Sequence, residues 1–294
     1  MSTLQLGLSL SAMLLAGMGI ISTIWLGQEE DGKYHLNLRS QHKLPNDSFA
    51  MEEKKVAWKP KRTAFIICDM WDNHWCKSAA ARVGKLAEPM NEMIKEVRAQ
   101  GSLIIHAPSS VTSFYIDTPQ RKKAQQAPFT LTPQPLSTDE RWGTTWCWPD
   151  ETRENTLPID DSDMGCDCAV KCEIRDAWSR QIATIEMAPE DAITDDGQET
   201  FNLLTQHGIE NIVLLGVHLN MSVLGRPFGI RQMVQQGKNV VLMRDMTDTM
   251  YNPEMEPQVT HEEGTQLVIE HVEKYWCPSF ASTDLTGKPA FSFN

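Results

Sequence analysis

Residues 63–68, TAFIIC, form an unbroken run of apolar and β-branched side chains that ends at Asp69. A strand of this kind has no polar face, so both of its faces must be covered by other elements. Val83, Leu86, Ala87, Met90, Met93, Ile94 and Val97 then recur at helical spacing until Gly101. The alternation repeats along the chain. SLIIH (102–106), QIATI (181–185), NIVLL (211–215) and NVVLM (239–243) read as further strands. GQETFNLLTQHG (197–208) reads as a helix closed by Gly208, and another helix runs from the turn after NIVLL to about Gln236. Gly264 to Tyr275 is amphipathic, with Leu267, Val268, His271 and Val272 inward. Strands alternating with helices predict an α/β fold, a three-layer, doubly wound, mostly parallel sheet of Rossmann type.

Three stretches fall outside this rhythm. Residues 112–180 carry Pro119, Pro128, Pro133, Pro135, Pro149 and Pro158, many acids, and Trp142, Trp146 and Trp148, which predicts an irregular insertion acting as a lid or binding loop. Residues 29–60 are polar and mixed in charge and read as a linker or arm before a domain at 61–294. Residues 1–28 carry no charged side chain and are long enough to cross a bilayer, while also fitting a secretory signal. They predict export to the periplasm or the extracellular space, or an anchored protein facing outward.

That compartment bears on the cysteines. Cys68 lies in the TAFIIC strand as a buried thiol, whereas Cys76, Cys147, Cys166, Cys168, Cys172 and Cys277 have loop-like surroundings. In an oxidising compartment they favour disulfides. Zinc in CDCAVKC is the alternative, but its C-x-C-x3-C spacing has no second Cys or His pair nearby in sequence. The net charge of −12 argues against nucleic acid or an anionic membrane surface, since phosphate binding needs clustered Lys and Arg. The one basic run, Arg121-Lys122-Lys123, reads as a solvated loop. Membrane contact would come only through residues 1–28, and a small-molecule substrate is the expected partner.

Ligands of such sheets lie beyond the carboxyl ends of the strands. The first strand offers Asp69, Asp72 and His74 there, the second His106, the third Glu186, the fourth His218, Asn220 and Ser222, and the fifth Asp245 and Asp248. Asp69 is placed to be a base or to orient a partner. Asp72, His74 and His106 could together hold a divalent metal of mixed N and O ligation. Trp71 and Trp75 bracket the first loop and could stack on a flat substrate. Arg226, in LGRPFG, could bind an anion.

These residues resemble the isochorismatase-like cysteine hydrolases, which include nicotinamidases and N-carbamoylsarcosine amidases. The likeness runs from Thr63 to Val272, with the 112–180 insertion unlike ordinary members. TAFIICDMWDNHWC is similar to the family's first strand, which ends in a catalytic Asp, and GIENIVLLGVHLNMSV to its Gly-x-x-Thr-Asn-x-Cys-Val signature. The resemblance implies the family's fold, hydrolysis of a small amide, ureido or ether-type substrate, no required cofactor, and a homo-oligomer. It places Asp69 on the Asp that activates the nucleophile, Ser222 on the nucleophilic Cys, and Leu219 on the Thr before it. It places Glu186 or a neighbour where the family has a Lys, since no Lys occurs between Lys171 and Lys238. It also implies a cis peptide near Val217-His218.

Two of three triad positions are thus altered, which leaves three readings open. One is a hydrolase using Asp69 and Ser222, with His218 or His74 as an added base. The second is a catalytically degenerate exported binding or structural protein. The third is metal-assisted hydrolysis through Asp72, His74 and His106.

Overall fold

TAFIIC is a central strand, buried along its whole length. Ala64, Ile66 and Cys68 point into one apolar layer, and Phe65 and Ile67 into the other. The computed structural model describes residues 32–141 and 144–293. The N-terminal segment 1–28, with the export or anchoring expected of it, lies outside the described residues, as does Trp142. Among the described residues no helix is long and apolar enough to cross a membrane.

In chain order the strands are β1 (Tyr34–Lys43), β2 (Phe49–Trp58), β3 (Thr63–Cys68), β4 (Leu103–Ala107), β5 (Glu140–Arg141), β6 (Thr144–Thr145), β7 (Ala192–Ile193), β8 (Asn211–Val217), β9 (Asn239–Asp248) and β10 (Ser279–Phe280). The helices are α1 (Lys77–Ala99), α2 (Pro119–Gln126), α3 (Gly197–Gln206), α4 (Ile230–Gln235), α5 (His261–Tyr275) and α6 (Thr283–Thr286). The main sheet has the order β2-β1-β10-β9-β8-β3-β4-β7. The strands from β10 to β7 are parallel, whereas β1 is antiparallel to β10 and to β2. Apolar layers cover both faces, as the mostly parallel α/β reading predicts.

Residues 34–58 are not a linker. They form a long hairpin that widens the sheet, and Tyr34, Leu36 and Leu38 are buried while His35 and Asn37 are exposed. This period of two is a strand signal, masked in the sequence by the charged, exposed β2. Tyr34 meets Phe65 edge-on at 6.1 Å between ring centroids, and its hydroxyl lies 2.7 Å from Ser102 Oγ.

QIATI is not a strand either. Only Gln181 bridges to Trp71, the backbone N–H of Ile185 turns back to the carbonyl of Ile182, and β7 takes the edge position. The basic run expected in a loop lies on α2, where Arg121 pairs with Glu199 at 2.5 Å.

Residues 112–180 are mostly irregular and are stitched to the rest of the domain through Glu154. This carboxylate is buried, with Arg231 Nε at 2.8 Å and His271 Nε2 at 2.7 Å. Burial opposes its ionisation, but the hydrogen bonds from His271 and Arg231 prevail and bring its pKa from 4.5 down to about 2. The folded-state pKa lies below the unfolded one, so the ionised carboxylate contributes stability above pH 4.5 that disappears as pH falls through about 2. Urea melts from pH 7 to pH 2.5 are expected to show that loss, on the order of 3 kcal/mol, greatly reduced in Glu154→Gln. Parallel profiles for the two proteins would contradict it.

Candidate active site

Near the end of β8 stands Gly216, a position that excludes a side chain. Its φ is +102°, and a Cβ there would lie 2.1 Å from the carbonyl oxygen of Cys68 on the neighbouring β3. This close approach brings the end of β8 against Asp69, the residue after β3. A cis peptide joins Val217 to His218, as the family resemblance implies. A short π-helical turn, Leu219–Val223, follows and carries Ser222, which is buried.

Asp69 is fully buried with φ +45°, a left-handed conformation uncommon for a residue with a side chain. Three hydrogen bonds fix it there. Its N–H donates to Ala107 O at 3.1 Å, its carbonyl accepts from Trp71 N–H at 2.8 Å, and its Oδ1 accepts from Ser109 N–H at 2.7 Å. Desolvation raises the pKa of the carboxyl, while the charge of Arg226 and contacts with Ser222 and Ser109 pull it back.

Arg226 is the cation beside Asp69. Its Nε stands 3.5 Å from Asp69 Oδ2, its guanidinium covers the Trp146 ring at 4.4 Å, and Nη1 donates to Thr144 Oγ1. Neither Asp69 Oδ2 nor Arg226 Nε has a hydrogen-bond partner, although both are buried. Ser109 Oγ and His218 Nε2 nearby are in the same condition. Buried polar atoms without partners each cost of order 1–3 kcal/mol, so their gathering at one place marks a site shaped for something other than stability.

Ser222, His218 and Arg226 open onto a cavity of about 760 Å³ that is also lined by Trp71, His74, Trp75, Trp146 and Trp178. Trp71 stacks on Trp178 of the insertion at 4.2 Å and 8°, and His74 continues the stack at 5.6 Å from Trp178. His74 and His218 meet edge-on at 5.1 Å. Burial drives the pKa of His74 down to about 4 and that of His218 well below its ordinary value, so both rings are neutral near pH 7. A separate depression of about 620 Å³, lined by Glu154, Arg231 and residues 155–162, contains none of the sequence-derived site residues.

The structure therefore unites Asp69, Ser222, His218, Trp71, Trp75 and Arg226, and it separates others. Glu186 is exposed beside α1, paired with Lys95 at 2.9 Å, because residues 181–186 turn instead of continuing as a strand. Asn220 is spent on structure: it donates to Met250 O at 3.0 Å and to Asp161, and accepts from Met250 N–H at 2.9 Å. Asp72, His74 and His106 do not converge as metal ligands among the described residues. Asp72 accepts from Ser179, His74 Nδ1 from Cys76 N–H, and His106 is held in the core between Gln181 and Asp191 at 3.0 Å each. Asp248 and Asp245 are also engaged, with Arg82 and His261 and with Ser282 respectively.

Trp146, Trp178 and Thr144 were not singled out in the sequence as site residues, since nothing in a proline-rich insertion says which tryptophans fold inward. Arg226 as a cation near Ser222 was accessible, because it is the one Lys or Arg between Ser222 and Ile230.

No protein-family model matches the chain, and no curated protein matches it. Among solved structures it is similar to a cysteine hydrolase from Pseudomonas syringae pv. phaseolicola, at 14% identity and a TM-score of 0.46, over 77% of this chain and 91% of that one. An isochorismatase family protein from Burkholderia thailandensis gives 13% identity and 0.41, over 76% and 94%. One from Desulfovibrio vulgaris gives 13% and 0.41, over 77% and 97%. Cysteine hydrolases and isochorismatase family proteins are thus what this chain is similar to among solved structures.

Proposed function

We propose that the protein is an isochorismatase-like hydrolase of a small, flat amide, ureido or ether-type substrate, with Ser222 as nucleophile. The observation that carries this is the placing of Ser222 and Arg226 on the wall of an aromatic cavity with the buried Asp69 carboxylate beside Arg226, Asp69 Oδ2 and Arg226 Nε standing 3.5 Å apart with neither in a hydrogen bond. For an amide or ureide, the buried Asp69 takes the Ser222 proton as Oγ attacks the acyl carbon, and gives it to the amine nitrogen that departs as the C–N bond breaks. The Arg226 guanidinium, fixed by Thr144 and Trp146, stabilises developing negative charge where the family has a lysine. Water then attacks the acyl carbon, its proton passing through Asp69 to Ser222 Oγ as the C–Oγ ester bond breaks and the acid leaves. The tryptophans grip the planar face of the substrate, and the scheme needs no cofactor.

The test is a panel of nicotinamide, ureido acids and isochorismate-like ethers, followed by a pH profile on whichever is turned over. Because Asp69 must be ionised and its pKa is raised, kcat/KM is expected to rise with pH along a single acid limb lying above the ordinary Asp range. No histidine limb should appear between pH 5 and pH 8, since His74 titrates near pH 4 and His218 well below 6.5. Absence of turnover across the panel would favour the binding-protein reading, in which the close Arg226–Asp69 pairing keeps the carboxylate from acting as a base.

A further inference from the structure

Behind the cavity wall a second cluster of reactive side chains plays no part in this chemistry. Cys76, at the start of α1, meets Cys166 and Cys168 of the insertion, with all three sulfurs within 4.8 Å of one another. The Cys76–Cys168 sulfur separation is 3.9 Å. Cys172 adjoins them, its thiol interacting with those of Cys166 and Cys168. A covalent disulfide would place two sulfurs about 2.05 Å apart. Four thiolates at about 2.3 Å from one zinc ion stand roughly 3.8 Å apart along the edges of a tetrahedron.

We propose that Cys76, Cys166, Cys168 and Cys172 form a tetrathiolate zinc site that fastens the insertion to the amino terminus of α1. The sequence spacing had lacked a fourth ligand, and the fold supplies it from about ninety residues away: Cys76 precedes Cys166 by that distance along the chain. The surroundings suit a negatively charged metal–thiolate cluster. Ser78 N–H points at Cys168 Sγ at 3.4 Å, and the Lys77 backbone N–H interacts with Cys172. These are the unpaired amides of the first turn of a 23-residue helix, whose dipole favours negative charge at that end. Ser78 Oγ lies 3.3 Å from both Cys76 Sγ and Cys168 Sγ.

The loop between the ligands is held as outer-shell groups commonly hold a metal knuckle. Asp167 accepts from Ser78 and pairs with Arg82 at 2.7 Å, and Arg82 is anchored in turn to Asp248 at 2.7 Å. Binding releases thiol protons to solvent and forms four Zn–S bonds, with no change in oxidation state and no oxidant. The metal would serve the cavity indirectly, because Trp75 and Trp178 pack in the same apolar cluster as the four cysteines.

The full chain, purified without added metal or reductant, should contain about one zinc per molecule by elemental analysis. Cys166→Ser and Cys168→Ser should each lower zinc affinity at least roughly tenfold. Should those variants fail to fold, wild-type protein stripped by chelator under reducing conditions and reloaded with Co²⁺ keeps the question open to measurement. It should then show the thiolate-to-cobalt charge-transfer bands of tetrahedral sulfur ligation. Chelation should also expose residues 160–180 to protease, and zinc should restore their protection. Recovery of these four cysteines as disulfides by peptide mapping, iron in place of zinc, or stripped protein that takes up no cobalt would each overturn the assignment. None of these readouts depends on turnover, so they stand or fall apart from Ser222.

Discussion

Replacing Ser222 with alanine is expected to lower kcat/KM by roughly 10³-fold or more while leaving the melting temperature nearly unchanged. The side chain is buried, so the substitution removes one oxygen from a well-packed turn and adds nothing that could clash. Its polar neighbour, the Asp69 carboxylate, keeps Ser109 and Arg226 as company. KM should change little if, as proposed, tryptophans and not the hydroxyl hold the flat face of the substrate. The measurement is steady-state kinetics on a substrate from the panel, alongside a thermal melt of both proteins. Equal activity in wild type and variant would remove Ser222 as nucleophile and leave the cavity as a binding site. A loss confined to KM would mean that the hydroxyl only positions the substrate.

The second large effect is on the fold itself. Gly216→Ala is expected to cost more than about 4 kcal/mol, lowering the melting temperature on the order of 10 °C. Two penalties coincide there. The backbone angle of +102° is one that side-chain-bearing residues rarely adopt, and the new methyl would press on the carbonyl oxygen and the nitrogen of Cys68 at 2.1 and 2.8 Å. Both atoms belong to a paired central strand, so neither can move without breaking the β3–β8 ladder. Denaturant unfolding of the variant checks this, and a cost below 1 kcal/mol would show that the strands can slide apart at little expense.

Most of the parallel core was legible in the sequence, because a strand covered on both faces must be apolar throughout and an amphipathic helix must repeat its apolar positions. TAFIIC, NIVLL and α1 carry those signals without ambiguity. What failed were elements whose neighbours decide their state. QIATI has strand composition, but the edge place beside β4 needs only the two residues of β7. The hairpin shows its alternation on β1 alone, since β2 is solvated.

The site divides in the same way. Asp69 and Ser222 follow from strand ends, which sequence order locates. Glu186 was misplaced by carrying an expected strand forward, and Asn220 is polar at the right turn but is consumed by Met250. Convergence across long separations, such as Arg226 on Asp69 or Cys76 on Cys166, is a property of the folded chain and leaves no local mark.

The two margins of the main sheet bear on how the protein behaves when concentrated. An open strand edge is a template for another chain, and natural sheets blunt it with charge, brevity or cover. On one side β2 presents Glu52, Glu53, Lys54 and Lys55 in succession, all exposed, which a second copy would have to strip of water before pairing. On the other side β7 is two residues long, and Arg121 of α2 reaches its Ile193 carbonyl at 3.4 Å. Charge on β2, and brevity and cover on β7, therefore disfavour strand addition at both margins. Crowded molecules of this domain should associate through helices and loops more readily than by extending the sheet.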